Sequence, residues 1–206
     1  MRNIKGFYFI TGGDISRRGD LSDVRSAIAA GVTVVQYRDK RADSAAMYRK
    51  AQALKRLCKR ALFLVNDRID LALAVNADGV HLGQDDLSPA VARKLLGKKK
   101  IIGVSVSTME QAARAVRGGA DYLGVGPIYA TSTKTDAHRP VGVDIISKIK
   151  ARFNIPVIVI GGISPDNAPK VIAAGADALC AISAVVTKND VRRRIGEFQA
   201  LFGARR

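Results

Sequence analysis

Aromatic residues make up only 5% of the 206-residue chain, and none of them is tryptophan. No stretch interleaves aromatic with basic side chains, the arrangement that stacks nucleic-acid bases. Only two cysteines are present, Cys58 and Cys180. Each sits in a helix-like or strand-like pattern, so both are expected to be buried free thiols of a reducing, cytoplasmic compartment. No apolar run approaches the roughly 18 residues of a membrane span. Near the N-terminus the only apolar run is the four residues Phe7 to Ile10, too few for a signal peptide. There are two histidines, His81 and His138, and no Ser/His/Asp or Cys/His constellation. Chemistry that depends on a protein nucleophile is therefore not expected.

Acidic residues are also scarce, with 18 Asp and Glu against 34 Lys and Arg, a formal charge of +16. The basic residues are dispersed: Arg17-Arg18, Lys98-Lys99-Lys100, Arg192-Arg193-Arg194 and Arg205-Arg206 lie far apart. Small phosphorylated anions fit such a field as well as a polynucleotide does, and no nucleic-acid partner is expected.

The chain has ample length and hydrophobicity (48%) for one core. Short apolar runs recur at Tyr8–Thr11, Thr33–Tyr37, Leu62–Asn66, Gly79–Leu82, Ile101–Ser105, Tyr122–Gly126, Val157–Ile160 and Ala178–Ile182. Most are apolar throughout, as parallel strands buried on both faces must be. Segments of helical period separate them. The pattern predicts an α/β fold, a single (β/α)8 TIM barrel over residues 1–206 with no linker. Ala30-Gly31, Gly118-Gly119 and Ala174-Gly175 close helices before strands. Ser88-Pro89 and Ser164-Pro165 read as helix N-cap and first-turn pairs.

Parallel barrels place their ligands at the C-terminal ends of the strands. Gln36, Arg38 and Lys40 alternate there, so an extended chain points all three the same way. Arginine offers a planar fork for phosphate and lysine a point charge. Asn66, Asp67 and Asp86 follow at the next two strand ends. Asp67 could cap the following helix; Asp86 has less need of that role, because Ser88 supplies a cap. Two carboxylates at neighbouring strand ends suit Mg²⁺, which takes one or two carboxylates with phosphate and water. Thr131-Ser132-Thr133-Lys134 suits a loop closing on an anion. Gly161-Gly162 and Ile182-Ser183 lie where barrels often bind phosphate through backbone N–H groups. His81, in an apolar strand, reads as a satisfied core histidine.

Eight segments in register resemble the thiamine phosphate synthase (thiamine-phosphate pyrophosphorylase) family. They are YFIT at 8–11, VVQYRDK at 34–40, VNDRIDLAL at 65–73, ADGVHLGQDD at 77–86, GVS at 103–105, GADYLGVGPIYATSTK at 119–134, IGGIS at 160–164 and GADALCAISAV at 175–185. The resemblance implies a transferase that joins an aminopyrimidine methyl diphosphate to a thiazole or carboxythiazole phosphate. It places Tyr8 near the pyrimidine and the diphosphate on Gln36, Arg38, Lys40, Asn66, Ser105 and Lys134. Arg38, Lys40, Lys134 and Ser105 carry the catalytic role. Asp67 and Asp86 hold Mg²⁺, while Thr131, Ser132, Thr133, Gly162, Ile182 and Ser183 hold the thiazole phosphate. A homodimer is expected only by analogy with barrels of this size.

Tyr37, Asp39, the Gly12-Gly13-Asp14 loop and His138-Arg139 depart from the family's pattern, and the loop is assigned no role. A thiazole tautomerase-like paralogue would lack the complete diphosphate and metal set. Phosphate-binding isomerases of similar barrels would need an acid/base pair that is not visible. A basic nucleic-acid-binding or scaffold protein is the non-enzyme alternative.

Overall fold

A computed structural model describes residues 4–131 and 139–203 of the chain. Eight parallel strands hydrogen-bond in sequence order and close, with the first pairing the last. They are β1 (Gly6–Ile10), β2 (Val34–Tyr37), β3 (Leu62–Asn66), β4 (Gly79–Leu82), β5 (Ile101–Val106), β6 (Tyr122–Val125), β7 (Val157–Ile160) and β8 (Ala178–Cys180). Around them run α1 (Asp20–Ala29), α2 (Ser44–Leu57), α3 (Ile69–Ala74), α4 (Pro89–Leu96), α5 (Met109–Arg117), α6 (Asp144–Arg152), α7 (Ala168–Ala173), α8 (Ser183–Val186) and α9 (Val191–Gly203). This is a single (β/α)8 barrel. Its strands are almost wholly buried because the barrel interior covers one face and the helix ring the other.

Local chemistry starts and stops the elements. Asp43, Ser88 and Thr108 each accept a backbone N–H three residues on, capping α2, α4 and α5. Gly31, Gly119 and Gly175 adopt positive φ just after α1, α5 and α7, as the sequence predicts. The Ser164-Pro165 pair does not open a helix: α7 starts only at Ala168. Asn167 takes over, accepting from Ser164 N at 2.9 Å and donating to Gly162 O at 2.8 Å, which holds residues 165–167 in a turn.

Strand limits shift by one residue in β2, β5 and β6 and by more in β1 and β8. β1 begins at Gly6, which pairs with Ala178 of β8, a closure contact that no local pattern marks. β8 stops at Cys180 because Ile182 already adopts helical φ/ψ ahead of α8. α9 packs on α1 and β1, with the Phe7 and Phe198 rings 5.1 Å apart. The loop at 12–19 forms a 3-10 turn (Gly13–Ile15) tied to α1, with Gly13 N donating to Asp20 and Ser16 Oγ to Asp23. Tyr37 and Asp39, both departures from the family's pattern, meet each other at 3.4 Å.

Candidate active site

A cavity of about 240 Å³ opens at the C-terminal ends of the strands. Arg38, Lys40, Asn66, Asp67, Asp86, Ser105, Thr131, Gly162, Ile182 and Ser183 all line it, ten of the residues predicted from the sequence. Tyr8 and Gln36 do not. They are 2% and 1% exposed and lie in the barrel interior, with Gln36 Nε2 donating to the Tyr8 hydroxyl at 2.8 Å. Ser132, Thr133, Lys134 and His138 lie outside the described residues.

The cationic side of the site is built from β2. Gln36 sits on the inward face of the strand, and the same alternation brings Arg38 and Lys40 into the cavity beyond it. Thr11 braces this exit: its hydroxyl donates to Arg38 O at 3.1 Å and accepts from Arg38 N at 2.9 Å. Asp39 accepts from the N–H groups of Arg41 and Ala42, which fixes the turn directly after Lys40.

Across from these cations stand the carboxylates. Asp67 takes a left-handed backbone conformation, φ 60°, with its N–H bonded to His81 O at 2.8 Å. It does not cap α3, whose N-cap position belongs to Arg68 without a side-chain cap bond. Instead its carboxyl is hydrogen-bonded to that of Asp86. Asp86 Oδ2 in turn accepts Gly83 N at 2.6 Å. Burial foremost, then the hydrogen bond and charge of Asp86, push the Asp67 carboxyl up to about 6, against the pull of Lys40 and Arg38. Two carboxyl groups held side by side at the cavity wall create a demand for a cation.

On the opposite wall the β7 and β6 loops press together. Gly162 has φ 62°, and a Cβ there would fall 2.6 Å from Ala130 O and 2.7 Å from Tyr129 Cβ. Only glycine allows this approach, which sets Gly162 against the loop carrying Thr131. Ile182 and Ser183 complete that side from the β8 exit.

Sequence reasoning missed Gln84, Ser107 and the cavity-facing role of His81. His81 is satisfied, as expected: Nδ1 lies 2.8 Å from the Tyr122 hydroxyl and Nε2 2.8 Å from Ser105 Oγ. It also lines the cavity, and the available signal was its register opposite Asn66 on β3. Gln84 Nε2 donates to Ser105 O at 2.7 Å, so Ser105 is held through both backbone and side chain.

The sequence profile of thiamine monophosphate synthase matches residues 7–185. A thiamine-phosphate synthase of Methanosarcina barkeri is 52% identical over 193 residues, 93% of this chain and 88% of that protein. One from Chloroflexus aurantiacus is 48% identical over 197 residues, 94% and 91% of the two chains. The solved structure of thiamine phosphate pyrophosphorylase from Pyrococcus furiosus superposes with a TM-score of 0.90 at 40% identity, covering 98% of each chain. Matched in sequence along most of its length and in fold along nearly all of it, the chain belongs to the thiamine monophosphate synthase family.

Proposed function

We propose that the chain condenses 4-amino-2-methyl-5-(diphosphooxymethyl)pyrimidine with a thiazole or carboxythiazole ethyl phosphate, yielding thiamine phosphate and pyrophosphate. The observation that carries this is one cavity in which Arg38, Lys40 and Ser105 face the Asp67–Asp86 pair. That is a diphosphate-binding set within a chain whose relatives are thiamine-phosphate synthases. Arg38 and Lys40 neutralise the diphosphate, and Ser105 donates a hydrogen bond to it. Lys134 and Asn66 belong to the same group by resemblance. As the C–O bond breaks, its electron pair leaves with the pyrophosphate and a pyrimidine-methyl cation remains. The thiazole nitrogen, positioned by its own phosphate on Thr131–Thr133, Gly162, Ile182 and Ser183, then forms the C–N bond. Binding both substrates in one cavity removes the entropy of their encounter. No general-base dyad is required, in keeping with the lack of one in the sequence.

Mg²⁺ fits the acidic pair. The donors are hard oxygens, and among the described residues no third acidic, histidine or cysteine side chain joins them in a metal-holding group. Substrate phosphate and water would fill such a shell. Held by Asp67 and Asp86, Mg²⁺ would supply positive charge to the departing pyrophosphate.

Tyr8 would support the pyrimidine end from the barrel interior; Gln36, expected on the diphosphate, does not line the cavity and is bonded to Tyr8 instead. No described helix is long and apolar enough to cross a membrane. A cytoplasmic setting is supported by two buried free thiols, with burial pushing Cys58 up to about 12. Two small phosphorylated substrates are the partners in this reading, without nucleic acid; a homodimer rests on analogy alone.

Pyrophosphate release with both substrates, with and without Mg²⁺, tests the proposal. Release should require the metal and match thiamine phosphate formed. No release under any condition would sink it and leave the thiazole tautomerase reading to be tested by isomerisation. Asp86→Ala should abolish turnover while the fold is kept; unchanged activity at limiting Mg²⁺ would remove the metal assignment.

A further inference from the structure

Five polar side chains run in single file from the barrel interior to the cavity. Gln36 Nε2 donates to the Tyr8 hydroxyl at 2.8 Å, and the Tyr8 and Tyr122 hydroxyls lie 2.7 Å apart. Tyr122 reaches His81 Nδ1 at 2.8 Å, and His81 Nε2 reaches Ser105 Oγ at 2.8 Å. Barrel interiors are ordinarily filled by branched apolar residues, and a buried polar group is tolerated only when partnered. Here two strand glycines make the room. A Cβ on Gly103 would fall 2.0 Å from Tyr122 Cζ, and one on Gly124 would fall 2.8 Å from His81 Cε1. Four strands therefore accommodate the file, β1, β2, β4 and β6, and it ends on a fifth, β5, at Ser105.

A hydroxyl has one proton, and a neutral imidazole has one donor and one acceptor nitrogen. Those limits turn the file into a chain of consequences. The Gln36 amide donates a hydrogen bond to the Tyr8 oxygen, and the one acceptor within reach of the buried Tyr8 hydroxyl proton among the described residues is the Tyr122 oxygen. Satisfying that proton makes Tyr8 the donor to Tyr122, and Tyr122 in turn the donor to His81 Nδ1. That leaves the histidine proton on Nε2, aimed at Ser105 Oγ, and the Ser105 proton unspent by the file. Burial pushes both tyrosine hydroxyls well above their usual range, so neither breaks the order by ionising.

We propose that this file is a one-way donor relay that fixes His81 as its Nε2–H tautomer and thereby makes Ser105 present its hydroxyl proton, not its lone pairs, to the cavity. His81 and Tyr122 are then positioning residues acting through Ser105. The identity of the group that receives the proton, an oxygen of the diphosphate as it gains charge, rests on the function proposed above. The tautomer does not, being a property of the free protein. Run the other way, the file would put the histidine proton on Nδ1 and turn the serine oxygen's lone pairs toward an anion, a repulsive arrangement. A donor preset in this way costs no reorganisation as charge develops on the leaving oxygen.

The deciding measurement is long-range ¹H–¹⁵N NMR of the ligand-free protein labelled at histidine. His138→Asn leaves a single histidine, so the signal is unambiguous. A protonated Nε2 with a bare Nδ1 is expected; a protonated Nδ1, or a doubly protonated ring, overturns the relay. Tyr122→Phe removes the proton donated to Nδ1. It should convert the spectrum to a mixture of tautomers and lower kcat about tenfold, while KM for the pyrimidine diphosphate stays within about twofold. Unchanged kcat, or a change confined to KM, overturns the relay. Should that variant fail to fold, the wild-type spectrum decides alone. Should wild type make no thiamine phosphate, the proposed function fails and the tautomer still answers the structural question.

Discussion

Asp23 is fully buried in α1, with Ser16 Oγ donating to Oδ2 at 2.5 Å and Oδ1 without a hydrogen-bond partner among the described residues. Burial first, and the nearby charge of Asp20, raise its pKa above the usual carboxylate value despite the Ser16 bond. The folded state therefore holds the Asp23 proton at pH values where the unfolded chain has released it. Its contribution is most favourable below the unfolded carboxylate pKa and declines as pH rises through the folded one. Asp23→Asn keeps the acceptor for Ser16 and removes this dependence. Thermal melts from pH 4 to 7 should show the variant gaining on wild type as pH rises; parallel curves would contradict the raised pKa. At the same scale, Ser183→Ala should raise KM for the thiazole phosphate several-fold and leave KM for the pyrimidine substrate unmoved. A shift confined to the pyrimidine constant would show that the two subsites are wrongly divided. The acidic pair was legible because Asp67 and Asp86 follow apolar runs, where a parallel barrel opens. Tyr122 and His81 were not, because period-two alternation says that residues share a face without saying that a polar file fills it.

Three helix-to-strand joints use the same device. Asp78 Oδ2 accepts Phe63 N and Lys55 Nζ, Asp121 Oδ2 accepts Ile102 N and Arg93, and Asp177 Oδ2 accepts Val157 N and Lys150 Nζ. Each aspartate satisfies the first or second N–H of the preceding strand and ties that strand to a cation on the helix leading into it. In the first joint Asn76, at φ 49°, stands where Gly119 and Gly175 serve the others. Asparagine tolerates that conformation better than most residues. The glycine stops were readable because a helix end is local. The aspartate's work was not, since its partners lie about 15 to 28 residues away along the chain. Asp177→Ala leaves a strand N–H and a half-buried ammonium without their acceptor. A loss of roughly 2 kcal/mol is expected, or about 4–8 °C in Tm for a domain of this size. Asp121→Ala should cost less, because the Asp121 side chain is 45% exposed against 26% for Asp177. Equal losses, or none, would show that the joints do not carry strand–helix coupling.

Across the whole molecule, the device also sorts charge. Asp78, Asp121 and Asp177 are neutralised by their own cations at the N-terminal side of the barrel, while Asp67 and Asp86 face the cavity. The excess of 16 positive charges is consequently left spread over the remaining surface, as the scattered basic pairs in the sequence suggested. A field of that kind does little for the fold but raises the local concentration of anionic substrates. Its reach shrinks from about 30 Å at 0.01 M salt to about 10 Å at 0.1 M. Contacts inside the cavity, by contrast, are made within hydrogen-bond distance and are far less screened. With a non-binding salt, kcat/KM for the pyrimidine diphosphate should therefore fall several-fold over this range while kcat holds nearly constant. A fall in kcat alone would point to the salt displacing ligands within the cavity. A flat kcat/KM would mean that the surface charge has no part in gathering substrate.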